Sequence, residues 1–513
     1  MSMKSAFAAA LASLALAGAA TFPALSQDTT RVLRVVAPWE ITGLDPARSG
    51  YIFARMQIAE TLVGADNGGL PEAAIAQSWS VSADGRTWRF VVRTGTTFHD
   101  GTKLDAPAVA ASLNRAKANA AGMLANAPIV AITAQGDEVV FALSRSFSAL
   151  PAFLAHSSAI VLSPTAYDPS GNVARIVGSG PYRATVVEPP LRVEAERFLE
   201  WRGHAPAIAR ASYLAVPRGE TRVAMAEGGQ ADLVYVVPPE AAARLQRNVR
   251  LTLDVQAVPR TRLLKLNAAP PFFDDVRVRQ AVSFALDREG IAHAILRSPA
   301  TRATQLFPPG LAEWHVPDLA PLEHSLPRAQ ALLAAAGWRP GRDGILSKDG
   351  NRFAVTLRTF SDRPEQPPMA AAIQAQLRDV GIDVTISIVN SGEIPAGHQD
   401  GTLQMALFAR NFALVPDPIG TMLQDFGPKG GDWGAMNWSS PVMEAALTAL
   451  AAPTSASARA RARGDVARLL HAELPVVPIA WFDYAVAINR RVEGASVDPF
   501  ELSYRLSSMR WAP

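Results

Sequence analysis

Side chains that catalyse reactions or hold metals do not form a recognisable set in this sequence. There is no cysteine, which excludes thiol nucleophiles, disulfides and cysteine-bound zinc. The eight histidines, among them His99, His156, His315 and His398, show no i, i+3 or i, i+4 pairing. The glycine turn at 177–182 lacks the spacing of a G-x-S-x-G nucleophile elbow, and there is no His-Glu-x-x-His motif. We therefore expect a binding protein rather than an enzyme, with no catalytic residue, no cofactor and no metal site.

Residues suited to recognising a small molecule lie in the last third of the chain. The string Gly-Gly-Asp-Trp-Gly at 430–434 predicts a loop, and loops on a rigid scaffold often carry binding residues. The rings of Trp433 and Trp438 are suited to stacking on a ligand. Trp438 follows the turn residue Asn437, however, and for this tryptophan we favour a place in the core.

Composition and the first residues indicate an exported protein. Lys4 precedes an Ala/Leu-rich stretch over 7–20, and Ala24-Leu25-Ser26 is a small-x-small cleavage pattern. This predicts a secretory signal peptide over 1–26 and, most simply, a Gram-negative periplasm. No later run of 18 strongly apolar residues predicts a membrane span. The 49 basic and 46 acidic side chains nearly balance, without a dense basic block, so nucleic-acid binding is not expected.

Periodicity and capping residues predict alternating strands and helices. Residues 87–92 alternate apolar and polar side chains, which predicts a half-buried strand. Asp100-Gly101 predicts a tight turn, and Asp105 is placed to cap the helix that follows. Residues 51–64 also predict a helix, and 355–360 predict a strand that runs into a loop at Ser-Asp-Arg-Pro.

Two long strings of residues have the same order as in one known family. The first is 87–116, with Trp88, Phe98, His99 and Asp100-Gly101; the second is Phe-Asp-Asp-Val-Arg-Val-Arg-Gln-Ala-Val, starting at residue 273. Together with Gly-Ser-Gly-Pro-Tyr at 178–182, they closely resemble the family 5 solute-binding proteins of ABC importers. These are the periplasmic dipeptide, oligopeptide and nickel receptors. The resemblance covers nearly the whole chain after the signal peptide, and the first string is expected to be scaffold.

The resemblance implies an α/β fold, a two-lobed periplasmic-binding-protein clamshell of type II. The implied fold is that of the large cluster of such proteins, which have an extra subdomain in the first lobe. A stiff, loop-like stretch after Leu266 and a proline-rich stretch at 475–479 are expected to cross between the lobes. The implied boundaries are lobe I at 27–64, 172–265 and 479–513, its extra subdomain at 65–171, and lobe II at 266–478.

The function implied is capture of a small solute, peptide-like or carboxylated, in the cleft between the lobes. A monomeric receptor of this kind delivers its ligand to the permease subunits of an ABC transporter in the inner membrane. The alternative within the family is a receptor for nickel or another metal chelate, although nickel receptors use an arginine where this chain has Ser157 or Ser158. Remote alternatives are an exported hydrolase and a periplasmic sensory or chaperone partner.

Dipeptide receptors of this family hold their ligand with two charges, and the resemblance implies only one of them here. Arg363-Pro364 matches the arginine that pairs with the ligand carboxylate, and a planar guanidinium suits that group. An exposed loop arginine remains the alternative. Alignment on Asp417-Pro418 puts Leu414 where the family has an amine-binding aspartate. A leucine cannot neutralise a buried ammonium, so a free α-amine on the ligand is in doubt unless Asp417 substitutes.

The residues just before that position complete the predicted site. Arg410, if it faces the cleft, favours an anionic ligand such as a second carboxylate, a phosphate or a metal chelate; if it faces solvent, it means little. Asn411 and Phe412 follow it. The predicted ligand-binding residues are therefore Arg363, Arg410, Asn411, Phe412, Leu414, Trp433 and Trp438.

Overall fold

Strands and helices alternate along most of the chain. The computed structural model describes residues 30–66, 69–412, 417–428, 430–452 and 455–513, so the predicted signal peptide at 1–26 lies outside them. The strands are β1 (Val32–Ala37), β2 (Val63–Ala65), β3 (Pro71–Ala73), β4 (Ala76–Val81), β5 (Thr87–Val92), β6 (Ile129–Gln135), β7 (Glu138–Leu143), β8 (Tyr182–Glu188), β9 (Arg192–Arg197), β10 (Arg210–Ala215), β11 (Leu233–Tyr235), β12 (Leu251–Leu266), β13 (Arg339–Pro340), β14 (Leu346–Lys348), β15 (Asn351–Arg352), β16 (Ala354–Thr359), β17 (Asp383–Ile388), β18 (Met405–Asn411), β19 (Val476–Asn489), β20 (Val492–Glu493) and β21 (Arg510–Trp511). The helices are α1 (Pro46–Arg55), α2 (Ala106–Ala118), α3 (Leu150–Leu154), α4 (Gly219–Glu227), α5 (Pro239–Gln246), α6 (Val276–Ala285), α7 (Arg288–Gly290), α8 (Leu326–Ala335), α9 (Gln366–Arg378), α10 (Glu393–Gln399), α11 (Ile419–Phe426), α12 (Pro441–Ala451) and α13 (Ala456–Glu473).

One large mixed sheet carries both lobes. Its strand order is β17-β16-β18-β12-β19-β11-β1-β10-β9-β8. At one end β16 pairs in parallel with β17 and β18, and at the other β1 pairs in parallel with β10 and β11. Parallel pairs need crossover connections, which are helical here. The fold is therefore α/β and two-lobed, as predicted.

The strands β12 and β19 belong to both lobes. They pair with each other along most of their length, while β12 also pairs with β18 of lobe II and β19 with β11 of lobe I. Register shifts between Val258 and Thr261 and between Arg262 and Leu263 interrupt their pairing. The chain thus passes between the lobes as extended strand, before the loop after Leu266 in which the sequence placed the crossing. The residues at which the lobes divide stay predictions.

A separate antiparallel sheet, β4-β5-β7-β6, contains the first signature string. On β5 the side chains of Trp88, Phe90 and Val92 are buried and alternate with partly exposed neighbours, as the sequence period predicted. Helix α2 packs on this sheet and is capped by Asp105, whose Oδ1 accepts the Ala108 N–H at 3.1 Å. The boundaries 65–171 for an extra subdomain remain a prediction.

The helix predicted over 51–64 begins and ends earlier than expected. Asp45 caps α1 by accepting the Ala47 N–H at 2.9 Å, with Pro46 as the first helical residue. The helix ends at Arg55, and Gln57 has a φ of +55°. The apolar residues that follow are buried in a turn and in β2, where their spacing imitates a helical face.

The signature string at 87–116 contacts the Gly-Ser-Gly-Pro-Tyr string at 178–182, and these contacts are part of the scaffold. The His99 backbone N–H donates to the Gly178 carbonyl at 2.9 Å, and His99 Nε2 lies 2.9 Å from the Gly180 carbonyl oxygen. Asp100 accepts a hydrogen bond from Ser163 Oγ at 3.0 Å. The two strings therefore hold one junction of lobe I.

The two lobes contact each other in this structure. The Ser148 backbone N–H donates to the Ala451 carbonyl of α12 at 2.7 Å. The largest apolar core surrounds α1 and α2 and continues to Phe408 and Phe412 of lobe II, while a second core surrounds α6, α8 and α9. Among the helices that the structure describes, none combines the length and apolarity needed to cross a membrane.

We expect Gly180→Ala to destabilise the fold because a Cβ there would lie 2.1 Å from the Gln57 carbonyl oxygen. Such overpacking typically lowers the free energy of unfolding by roughly 1–3 kcal/mol. Gly310→Ala is the matched control, since nothing lies within 4 Å of its added Cβ. Urea unfolding of both variants checks this, and equal losses would contradict it.

Candidate ligand-binding site between the lobes

Four arginines from three parts of the chain converge where the lobes meet, and we call them the arginine cluster: Arg55, Arg260, Arg262 and Arg363. Two aromatic rings hold them together. The guanidinium carbons of Arg55 and Arg363 lie 4.5 and 6.0 Å from the centre of the Trp39 ring. Those of Arg262, Arg260 and Arg363 lie 3.9, 4.9 and 5.3 Å from the centre of the Phe482 ring. Aromatic faces attract cations, so these contacts keep buried guanidinium groups together.

Two buried carboxylates balance part of this charge. Glu501 accepts hydrogen bonds from Arg260 and, at 2.8 Å, from Asn411 Nδ2. Glu365 Oε1 accepts from Arg262 Nε at 3.1 Å. Burial by itself raises the pKa of each carboxyl, but the arginines outweigh it and the pKa values of Glu365 and Glu501 lie below the ordinary range. Both are therefore ionised at neutral pH.

The arginines stay charged as well, so the cluster carries excess positive charge. Burial lowers the pKa of Arg260 to about 10, still well above neutrality. Four guanidinium groups thus face two carboxylates. Next to them lie Asp362, which interacts electrostatically with Arg363 and Arg222, and the buried Arg222, whose guanidinium donates to four backbone carbonyls. When ionised, these two side chains add one charge of each sign. The excess is two positive charges.

The cluster also holds hydrogen-bond donors that have no acceptor. Within the described part of the chain, Nη1 of Arg55, of Arg260 and of Arg363 is buried without a partner. An unpaired buried donor costs about 1–3 kcal/mol, more when it is charged. Glu501 Oε1 and Asp362 Oδ1 are unpartnered too, so acceptors exist beside the donors. Arginine cations carry the excess, and an anion in the cleft would satisfy them.

The structure places Arg363 in this cluster and not on an exposed loop. It follows β16 and its side chain is only partly exposed, with Trp39 of lobe I on one side. Asn411 contributes through Glu501, as described above. Both residues therefore contact the arginine cluster or its carboxylates, and their role in binding stays a prediction.

Arg410 is buried, and its charge is already balanced. Its Nε and Nη2 donate to the two carboxylate oxygens of Asp425 at 2.5 and 2.9 Å, a bidentate pair. The group that Arg410 presents to its surroundings is thus a neutral pair. The sequence tied a preference for an anion to Arg410 only if this side chain faces the cleft, and that preference stays a prediction.

The three predicted aromatic residues occupy different environments. Phe412 is fully buried, and its ring centre lies 5.4 Å from that of Phe307. Trp438 is buried and its Nε1 donates to Glu473 Oε2 at 2.7 Å, which is the core position that we favoured. Trp433 is half-buried beside Phe408 and Phe360, with ring centres 5.1 and 6.4 Å away. Trp433 thus packs against Phe360, which precedes Arg363 by three residues.

The predicted amine-binding position is the least informative part of the site. Leu414 lies outside the described residues. Asp417 has a structural role, because its Oδ1 accepts the Ile419 N–H at 3.0 Å at the start of α11. Its Oδ2 lies 3.4 Å from Arg463 Nη2. Asp417 is therefore not a free carboxylate waiting for an amine.

The residues that sequence reasoning missed are buried charges: Arg55, Arg260, Arg262 and Glu501. One signal was available in the sequence. Arg260 and Arg262 lie two residues apart within an otherwise apolar stretch of β12, so both project from the same strand face. Charges inside an apolar strand indicate a buried polar site. Metal-binding groups of three or more His, Cys, Asp or Glu are absent among the residues that the structure describes.

A model of the bacterial extracellular solute-binding proteins, family 5 Middle, matches residues 71–433. The chain belongs to this family. Family 5 proteins are the solute-binding components of ABC importers, and the family, fold and transport role predicted from the sequence are thereby confirmed. The family comprises periplasmic or extracellular binding proteins for small ligands.

Three similar proteins illustrate the range of family 5. The glutathione-binding protein GsiB of Salmonella paratyphi A is 28% identical over 395 residues, covering 75% of this chain and 74% of the relative. The nickel-binding periplasmic protein of Escherichia coli K12 is 25% identical over 494 residues, covering 91% and 93%. The crystal structure of NikA from Brucella suis with Fe(III)-EDTA has a TM-score of 0.82 at 24% identity, covering 94% of this chain and 100% of NikA. The last similarity concerns the fold.

We expect Asp425→Asn to be strongly destabilising because it leaves the buried Arg410 without its counter-ion. Breaking a buried pair in this way costs about 3–5 kcal/mol. The double variant Arg410→Met/Asp425→Leu removes both charges and should recover most of the loss. Urea unfolding of the single and double variants measures the coupling, and additive losses would contradict the pairing.

Proposed function

We propose that this protein captures a small anionic solute, most simply a carboxylated one, between its lobes and delivers it to an ABC permease. The observation that carries the proposal is the arginine cluster, with excess positive charge and three buried Nη1 donors that lack acceptors in the described chain. A guanidinium donates two parallel hydrogen bonds to one carboxylate, and several guanidinium groups suit a ligand with several acceptor oxygens.

Binding and closure are coupled through the position of the cluster. Arg55 and Trp39 belong to lobe I, Arg363 follows a lobe II strand, and Arg260 lies on the shared strand β12. A ligand that contacts all of them stabilises the conformation in which the lobes meet. The permease then recognises the closed protein.

The ligand that we propose does not depend on a free α-amine. The sequence has Leu414 at the amine-binding position of dipeptide receptors, and Asp417 already pairs with Arg463 and caps α11. Glutathione, which GsiB binds by name, and the Fe(III)-EDTA chelate bound by NikA both carry several carboxylates. Chemically, such multiply charged acids fit an excess of two positive charges.

A metal-chelate receptor is the second candidate. The E. coli nickel-binding relative matches 91% of this chain, and an anionic chelate would use the same arginines through the carboxylates of its chelator. We propose a binding role without catalysis, and turnover of a chromogenic ester or peptide would contradict that. We also propose that the protein is a monomer, exported to the periplasm after removal of 1–26.

Replacing Arg363 by glutamine should weaken binding of the carboxylated ligand at least tenfold, which corresponds to about 1.4 kcal/mol. Native mass spectrometry of the purified protein identifies retained ligand. Calorimetry with glutathione, Fe(III)-EDTA and N-acetyl-dialanine, against dialanine amide, tests the need for a carboxylate. Arg378→Gln is the matched control, because that side chain is 55% exposed and paired with Asp383 on the surface.

An unchanged dissociation constant for Arg363→Gln would remove this arginine from the site. Tight binding of dialanine amide, which has an amine and no carboxylate, would contradict the anionic ligand itself.

We further expect a saturating ligand to reduce the radius of gyration, because contacts to both lobes favour the closed conformation. Small-angle X-ray scattering with and without the compound identified above measures this. A thermally stabilising ligand that leaves the scattering curve unchanged would argue against closure.

A further inference from the structure

One lysine is buried within the sheet of lobe II. Lys265 lies on β12 and has no exposed surface. Its Nζ donates to the Gly431 carbonyl at 2.7 Å and the Asp432 carbonyl at 2.9 Å, and it lies 3.0 Å from His398 Nδ1 on α10. No carboxylate in the described chain forms an ion pair with it. The Lys265 side chain thus links strand β12 to the glycine-rich loop at 430–438 by hydrogen bonds.

The loop fits closely around its neighbours. A Cβ added to Gly431 would lie 2.4 Å from the Gln424 carbonyl oxygen, and one added to Gly434 would lie 2.3 Å from Asp425. Gln399 Nε2 lies 3.2 Å from a carboxylate oxygen of Asp432. The loop therefore contacts Lys265 of β12, helix α10 and helix α11. Trp433, which follows Asp432 in the loop, packs against Phe408 and Phe360.

We propose that Lys265 is a positioning residue for Trp433 in the wall of the cleft, and that protonation of its Nζ loosens the 430–438 loop. As a neutral amine, Nζ can donate its two hydrogens to the two carbonyls and accept from His398 in the tautomer that protonates Nδ1; as an ammonium, it can donate to the same three atoms in the other tautomer. As an ammonium, it is a buried charge without a contacting carboxylate. Movement of the loop lets water reach that charge.

The charges around Lys265 agree with this direction. Burial lowers the pKa of Lys265 to about 7; Asp425 and Asp432 raise it and Arg410 lowers it. Burial and Lys265 also keep the pKa of His398 below its usual value. Once water reaches the amine, its pKa returns toward the ordinary 10.4. Because the packed loop binds the proton more weakly than the loosened one, packing weakens as the pH falls from about 10.4 to about 7 and changes little below that.

The first test is a titration of the unmodified protein. The chain has only six lysines, including Lys4 in the predicted signal peptide. After selective ¹³Cε-lysine labelling, the NMR resonance of Lys265 should titrate near pH 7. That resonance should be missing from Lys265→Met and Lys265→Arg. A Lys265 resonance that titrates near 10 overturns the proposal.

The second test follows Trp433. Acrylamide quenching of the Trp433 emission, taken as the difference between the wild type and Trp433→Phe, should be at least twofold stronger at pH 6 than at pH 8.5. Lys265→Met should abolish this pH dependence, and Lys348→Met on β14 should keep it. A pH response that persists in Lys265→Met points to His398 or another group and overturns the proposal, as does quenching that is independent of pH in the wild type.

If Trp433 faces the bound solute, loosening of the 430–438 loop also weakens ligand retention. This consequence rests on the proposed function. Both measurements are made without ligand. If the anion-binding test fails and Lys265 titrates near pH 7 as expected, only the proposed ligand is refuted. If anions bind as expected and Lys265 titrates near pH 10, only the role of Lys265 is refuted.

Discussion

The structure depends on keeping several guanidinium groups out of water where two strands pass between the lobes. Burying a charge costs free energy unless the charge is paired, and here the pairing is incomplete. Glu365 and Glu501 neutralise two of the four arginines, and aromatic rings contact the guanidinium groups. The remaining donors lie where residues of both lobes meet, next to the register shifts of β12. The unpaired donors and the irregular strand pairing therefore occur together, and the ligand-driven closure that we propose would use both.

Residues that identify the family and residues that we propose as ligand-binding are separate in space. The strings at 87–116 and 178–182 meet in lobe I, where His99 contacts the Gly178 and Gly180 carbonyls. They fix backbone geometry, which is common to receptors with different ligands. The arginine cluster and the Trp433 loop lie elsewhere, and side chains in such places change without disturbing the scaffold. This explains why relatives named for glutathione and for nickel match the same chain.

Local rules predicted much of the fold. The alternation on β5, the cap Asp105 and the turn at Gly101, which has a φ of +80°, all follow from side-chain period and backbone chemistry. The helix predicted over 51–64 failed because an apolar turn and a short strand imitate a helical face, which only burial distinguishes. In the site, Arg363 was identified by resemblance, whereas the bidentate partner of Arg410 is 15 residues away and outside any local pattern.

By itself, the sequence determined the family, the α/β two-lobed architecture and the absence of a cysteine-based or motif-based catalytic set, because these follow from residue type and order along the chain. The tertiary structure alone decided which charged side chains are paired with each other inside the protein and which are not. Arg410 is neutralised by Asp425, Asp417 by Arg463, and Arg260 by Glu501, 241 residues away. The physical reason is that a charge acts over a few ångströms, and those distances are set by folding rather than by separation along the chain.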